Sequence, residues 1–138
     1  MKFLPITKDT LVLRTDFSDE VLWAKICEVI LLPNEKFGFI PHVEFVSDKD
    51  FEGLSSDDFL KQVPPGFLQN FFFVVDKKTF QNPEFPILCI DLYEQPGQSM
   101  RVVPPSMWII ENNLSISNCD FSEFMSGLDK DGIFRKTV

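Results

Sequence analysis

Hydrophobic and polar positions along this chain fall into blocks that predict strands followed by helices. An aliphatic and β-branched block at residues 11–17 predicts a first strand. Apolar residues then recur at helical spacing from Leu22 to Ile30, and Pro33 stops that pattern. Ser18 precedes the helical block and suits a helix start, because its side chain accepts hydrogen bonds from free backbone N–H groups. The chain therefore opens with a strand-to-helix unit.

The same alternation continues through the middle of the chain. Later blocks predict helices at residues 55–63 and 76–80 and strands at residues 42–46, 71–75 and 86–93. The three phenylalanines at residues 71–73 are typical of a strand buried on both faces, although an apolar ligand site shows the same run. Pro96 and Gly97 are typical of a type II turn, so we expect residues 101–103 to pair antiparallel with the preceding strand.

The C-terminal third predicts two more helices. One spans residues 106–113 and the other residues 121–128, with a brief strand or extended segment at residues 114–117 between them. Strands that alternate with helices indicate a three-layer α/β domain. We expect a mixed, mainly parallel sheet flanked by helices, with an antiparallel hairpin in the C-terminal half, as a single domain over residues 1–138.

Composition narrows the possible partners. The 138 residues include 13 Lys and Arg against 21 Asp and Glu, a net charge of −8, which disfavours nucleic acid and anionic membranes as partners. Pro5 interrupts the N-terminal apolar residues, and nowhere is there an apolar run of about 20 residues, so we expect a cytoplasmic location. The charge favours a basic protein partner, and it leaves the oligomeric state open.

Cysteine, histidine and glycine patterns give little sign of a cofactor. Cys27, Cys89 and Cys119 form no C-x-x-C pair and are expected to be reduced thiols. His42 is the single histidine, so a histidine-rich metal site within one chain is excluded. The sequence contains no glycine-rich phosphate loop, and we expect no cofactor and no metal.

Acidic residues at predicted strand ends are the first candidate site. They are Asp16, Asp48 and Asp76, with Asp91 inside the fourth predicted strand. The carboxyl ends of parallel strands meet at one edge, where ligands bind in open α/β sheets, and carboxylates there would suit Mg²⁺. The alternative is that these acids are helix caps or loop residues that bond to nearby backbone groups.

A polar and aromatic group near a proline-rich corner is the second candidate site. Its members are Arg101, Trp108, Glu111, Asn112 and Asn113. Tryptophan and arginine often anchor protein interfaces, which predicts an interaction patch. The alternative is internal: the asparagines cap a turn, Trp108 packs in the core, and Arg101 pairs with Asp91 or Glu94 across the hairpin.

Several motifs resemble a mainly bacterial family of short single-domain proteins known as a domain of unknown function. They are TLVLRTDFSD at residues 10–19, HVEFV at 42–46, FFVVD at 72–76, DLYEQPG at 91–97, RVVP at 101–104, WIIENNLSI at 108–116 and DGIFR at 131–135. The resemblance implies a free-standing domain over nearly the full chain. It implies no particular activity.

Two functional classes are therefore expected. The first is a small acidic protein-binding module, of an inhibitor or immunity type, without catalysis. The second is a metal-dependent hydrolase or phosphotransferase that uses Asp16, Asp48 and Asp76. The small size, the charge and the lack of a complete catalytic motif favour the first class.

Overall fold

The computed structural model describes residues 2–137, and within them six strands and five α-helices follow one another along the chain. The strands are β1 (Thr10–Arg14), β2 (Val43–Val46), β3 (Phe71–Val75), β4 (Ile87–Asp91), β5 (Ser99–Val102) and β6 (Ile133–Phe134). The helices are α1 (Glu20–Ile30), α2 (Ser56–Leu60), α3 (Lys77–Gln81), α4 (Met107–Ser115) and α5 (Phe121–Met125), with single 3₁₀ turns at Lys49–Phe51 and Pro104–Ser106.

All six strands form one sheet in the order β2-β1-β3-β4-β5-β6. β1 runs parallel to β2 and β3, β4 runs antiparallel to β3 and β5, and β5 runs parallel to β6. The predicted mixed sheet and the β4–β5 hairpin are confirmed. The turn at residues 95–98 has Gly97 at φ 97°, the left-handed conformation that a type II turn requires at this position.

Two hydrophobic layers lie on opposite faces of the sheet, which confirms the three-layer prediction. Val12, Phe71 and Phe73 face α1, α4 and α5. Leu11, Leu13 and Phe72 face the N-terminal segment, the first 3₁₀ turn and α2. The three consecutive phenylalanines therefore belong to a strand that is buried on both faces.

Local capping explains where several helices begin. Asp19, rather than the predicted Ser18, caps α1 by accepting from the Leu22 backbone N–H, because Ser18 itself donates to the Asp16 carboxylate. Ser55 and Asp58 form the capping box at the start of α2. That helix ends at Leu60 and not at residue 63.

The C-terminal third differs from the predictions at several points, and α5 ends at Met125 and not at residue 128. Residues 114–117 form no strand, because α4 continues to Ser115 and is followed by a turn. The sixth strand, Ile133–Phe134, was not predicted. Two residues are too few to show the period of a strand. Pairing with β5 holds them in the extended conformation.

Candidate functional site

The acidic residues of the first candidate site lie at two different edges of the sheet. Asp16, Asp48 and Asp76 follow the carboxyl ends of the parallel strands β1, β2 and β3. Asp91 ends β4, which is antiparallel, and pairs with Phe71 at the start of β3. The expectation of one shared edge is therefore wrong for Asp91. The connection at residues 76–86 is shorter than the dozen or so residues that a crossover between parallel strands takes.

Asp16 and Asp48 bond to their immediate surroundings. The Asp16 carboxylate accepts a 2.8 Å hydrogen bond from the Ser18 backbone N–H. Asp48 accepts from the Asp50 backbone N–H at the start of the first 3₁₀ turn and forms an ion pair with Lys2. The hydrogen bond from Lys2 lowers the pKa of Asp48. Both acids thus act as loop and cap residues.

Asp76 is engaged by two elements. It caps α3 by accepting from the backbone N–H and the hydroxyl of Thr79. Arg101 of β5 donates to both of its carboxylate oxygens, at 2.9 and 2.7 Å. Burial acts to raise the pKa of Asp76, but the hydrogen bonds and charge of Arg101, aided by Thr79, outweigh it and hold the pKa below its ordinary value.

The carboxylates at this edge do not converge on a metal position. Within residues 2–137, no three His, Cys, Asp or Glu side chains are grouped closely enough to hold an ion. The hydrolase or phosphotransferase alternative needs Asp16, Asp48 and Asp76 to share one ion. The structure instead gives each of them separate partners.

Asp91 organises the loop between β4 and β5. Its buried carboxylate accepts hydrogen bonds from the backbone N–H groups of Tyr93, Glu94 and Gln95 and from the side-chain amide of Gln98. Four donors use the full acceptor capacity of one carboxylate. Asp91 is therefore a structural residue that holds the hairpin loop.

The second candidate group is split between the two faces of the sheet. Met100 and Val102 belong to the layer that contains α4, so Arg101, which lies between them in β5, points to the opposite face. It pairs there with Asp76, and neither Asp91 nor Glu94 is its partner. Arg101 consequently does not share a surface with Trp108, and the predicted patch is wrong at this residue.

The remaining members of this group lie on α4 with different roles. Glu111 is 3% exposed, and its carboxylate accepts from the His42 backbone N–H and the Ser115 hydroxyl. Asn113 donates to the Ile109 carbonyl, whereas Asn112 is exposed. Glu111 thereby ties the loop before β2 to α4.

Trp108 forms an aromatic cluster with two residues of the loop between α1 and β2. Its ring centroid lies 5.2 Å from that of Phe39 and 6.2 Å from that of Phe37. The two phenylalanines stack on each other at 5.5 Å, and each remains about half exposed, at 47% for Phe37 and 51% for Phe39. The cluster thus lies outside the two core layers.

Beside this cluster is a depression of about 460 Å³, which we call the aromatic groove. Its lining includes Leu32, Pro33, Phe39, Pro41, Pro105 and Trp108. The Trp108 indole nitrogen is buried and has no hydrogen-bond partner within residues 2–137. The groove combines exposed apolar surface with rings that lose little conformational entropy on contact, as interface anchors do.

Sequence reasoning missed two features near these sites. The first is the Phe37 and Phe39 pair, which the apolar residues 37–40 just before Pro41 signal, since they match neither a strand nor a helix pattern. The second is Arg14, the one charged residue of β1, which is fully buried. Arg14 stacks on Phe17 and Trp23.

The three thiols behave as expected of reduced cysteines. Cys27, Cys89 and Cys119 are free, and Cys89 is fully buried. Burial raises the pKa of Cys27 to about 11 and also raises the pKa of Cys119. Cys27 is only half-buried, because it lies at the margin of the α1 packing face.

No helix in residues 2–137 has the length and hydropathy of a membrane span.

Comparison with known proteins places the chain in a family. A search of curated proteins finds no match. The resemblance read from the motifs is confirmed by a family model that matches residues 9–137: the chain belongs to the family described as Domain of unknown function (DUF6924).

Proposed function

We propose that this domain binds another protein through the aromatic groove and has no catalytic activity of its own. The observation that carries the proposal is the exposure of Phe37, Phe39 and Leu32 around the half-buried Trp108. A chain that buries most of its other phenylalanines gains nothing in folding stability from leaving these rings in water. Contiguous exposed apolar surface of this kind marks interaction sites.

The expected partner is a basic protein segment that carries apolar side chains. The net charge of −8 attracts such a segment over long range, and salt screens this attraction. The apolar side chains would then occupy the groove between Pro33, Pro41 and Pro105. An inhibitor or immunity-type role is consistent with a small acidic domain that works by occupying its partner's surface.

The engagement of the strand-end acids also supports a binding role. Asp76 is already paired with Arg101, and Asp91 already accepts four hydrogen bonds. Neither carboxylate has the free coordination that acid–base or metal chemistry uses. Their contribution is to hold the scaffold on which the groove is built.

Selection from a random peptide library displayed on phage tests this proposal. Peptides enriched on the wild-type domain are synthesised, and their dissociation constants are measured by fluorescence polarisation at low and high salt. We expect basic peptides with apolar anchors, and roughly tenfold weaker binding to a Phe37→Ser, Phe39→Ser double variant, as interface anchors typically give.

Tyr93→Ser supplies the matched control. Tyr93 is 74% exposed and lies in the β4–β5 loop, away from the aromatic groove, so its loss removes an exposed ring without touching the proposed surface. If no peptide is enriched, or if the control weakens binding as much as the double variant does, the proposed function is wrong.

A further inference from the structure

A second cavity lies further along α4 than the aromatic groove, and we call it the α4 pocket. Its volume is about 340 Å³, and its lining includes Asp9, Thr10, His42, Gln69, Glu111 and Ser115. Pro41 lines the groove and His42 lines the pocket, so the two cavities adjoin at this point of the loop. The charged residues of its lining are two acids, Asp9 and Glu111, and one base, Lys8, so negative charge predominates.

Glu111 supplies a buried negative charge to the wall of the pocket. Both of its hydrogen-bond donors, the His42 backbone N–H at 2.6 Å and the Ser115 hydroxyl, are uncharged. Among residues 2–137, no cationic side chain lies within ion-pair distance of it. A carboxylate has about four acceptor positions, so about two remain unused.

Gln69 supplies a second acceptor. Its side-chain nitrogen donates to the Thr7 and Lys8 carbonyls at 2.8 and 3.0 Å, which fixes the orientation of the amide. The amide oxygen is buried and has no partner within the described residues. An unpaired buried acceptor costs free energy that a donor on a ligand would recover.

These acceptors select the chemistry of the ligand. An uncompensated carboxylate and an unpaired amide oxygen repel an anion and leave no role for a ligand without donors. A guanidinium group is planar, always charged and carries five N–H donors, so it has donors for both a carboxylate and an amide oxygen that line one pocket.

We propose that the α4 pocket binds a guanidinium group through Glu111 and Gln69. An arginine of the protein partner is the source that the adjoining groove favours, and that assignment rests on the proposed function. Trp108 and Glu111 are three residues apart on α4, about 4.5 Å along the helix axis. An extended peptide spans about 3.3 Å per residue, so the arginine would lie one or two residues from the apolar anchor.

The wild-type domain alone provides the primary test. An ¹⁵N NMR titration compares N-acetyl-arginine methylamide with N-acetyl-citrulline methylamide, its neutral isostere. We expect the arginine probe to shift the Gln69 side-chain amide and the His42 backbone amide. The citrulline probe should bind roughly tenfold more weakly, because it lacks the charge that Glu111 attracts. Equal binding of the two probes, or shifts confined to other surfaces, would overturn the proposal.

Variants then test the assigned residues. Glu111→Gln preserves side-chain shape and should weaken the arginine probe by roughly tenfold. Glu52→Gln, at an exposed site outside the pocket, removes the same charge and should leave binding unchanged. Spectra of each variant establish that it is folded. If Glu111→Gln fails to fold, Gln69→Met tests the site instead, and it should also weaken binding of the arginine probe. Unchanged binding in a folded Glu111→Gln variant refutes the site.

Two further measurements separate this site from the groove and identify the source of the ligand. The Phe37→Ser, Phe39→Ser variant should still bind the arginine probe, so failure of the groove leaves this result standing. Arginine in a selected peptide is then replaced by citrulline. If the citrulline peptide binds more weakly, the ligand of the pocket is an arginine side chain of the partner. If the peptide affinity is unchanged while the arginine probe still binds, the ligand is a free guanidinium compound.

Discussion

The carboxyl edge of β1 to β3 and helix α4 carry most of the residues that the sequence singles out, three at the edge and four on the helix. At the carboxyl edge, Asp16 is bonded to a serine, Asp48 to a lysine and Asp76 to an arginine. Each of the three also accepts a hydrogen bond from a nearby backbone N–H group. Along α4, the Trp108 nitrogen and part of the Glu111 carboxylate remain unused, beside exposed rings. The two regions therefore differ in how many of their polar groups are already paired.

The largest expected effect concerns stability at the carboxyl edge. Asp76→Ala removes a helix cap and a two-point ion pair, and it leaves Arg101 half-satisfied. We expect a loss of about 3 kcal/mol in the free energy of unfolding, measured by urea denaturation. Asp16→Ala is the comparison, because it breaks only a local turn and should cost under about 1 kcal/mol. Equal losses would mean that the ion pair contributes little.

The pH dependence of stability should follow the same carboxylate. The pKa of Asp76 is lower in the folded state than its ordinary value, so folding is favoured by its ionised form. This contribution is fully present above the unfolded pKa of about 3.9 and is lost as the pH falls through the folded pKa. Urea midpoints at decreasing pH should fall less steeply for Asp76→Asn than for the wild type. Parallel pH profiles would contradict the prediction.

A smaller effect is expected on α4. Trp108→Phe keeps an aromatic ring beside Phe39 and removes a buried N–H that has no partner. Because no hydrogen bond is lost, we expect a change of under about 1 kcal/mol in the free energy of unfolding. Thermal and urea unfolding measure it. A loss comparable to that of Asp76→Ala would show that the indole nitrogen is satisfied in solution.

The smallest effect is expected from divalent metal. A true site would stabilise the fold by about 2.7 kcal/mol at 100 times its dissociation constant. We expect no rise in melting temperature with Mg²⁺ or Mn²⁺, because the acids have other partners. Asp16→Asn and Asp76→Asn serve as controls. A rise in the wild type that each substitution abolishes would restore the metal-dependent alternative.

The local parts of the fold were accessible to sequence reasoning because their causes are local. Apolar spacing identified α1, the Ser55 and Asp58 pair identified the start of α2, and Pro96 with Gly97 identified the turn before β5. The Ile133–Phe134 strand was not predicted because its partner strand, β5, is distant in sequence. The sequence indicated part of each candidate site. It singled out Trp108 of the aromatic groove and Glu111 of the α4 pocket, but not Phe39 and Gln69, which line the same two cavities.

The sequence by itself determined the α/β class, the net charge and the family, since periodicity, composition and motifs are properties of the chain. Only the tertiary structure decided which polar groups meet. Arg101 reaches Asp76 because β5 returns antiparallel beside β4, and Asp91 lies at the opposite edge because β4 reverses direction. Strand direction and side-chain face depend on contacts between distant segments, so residue type and spacing alone do not specify the partners.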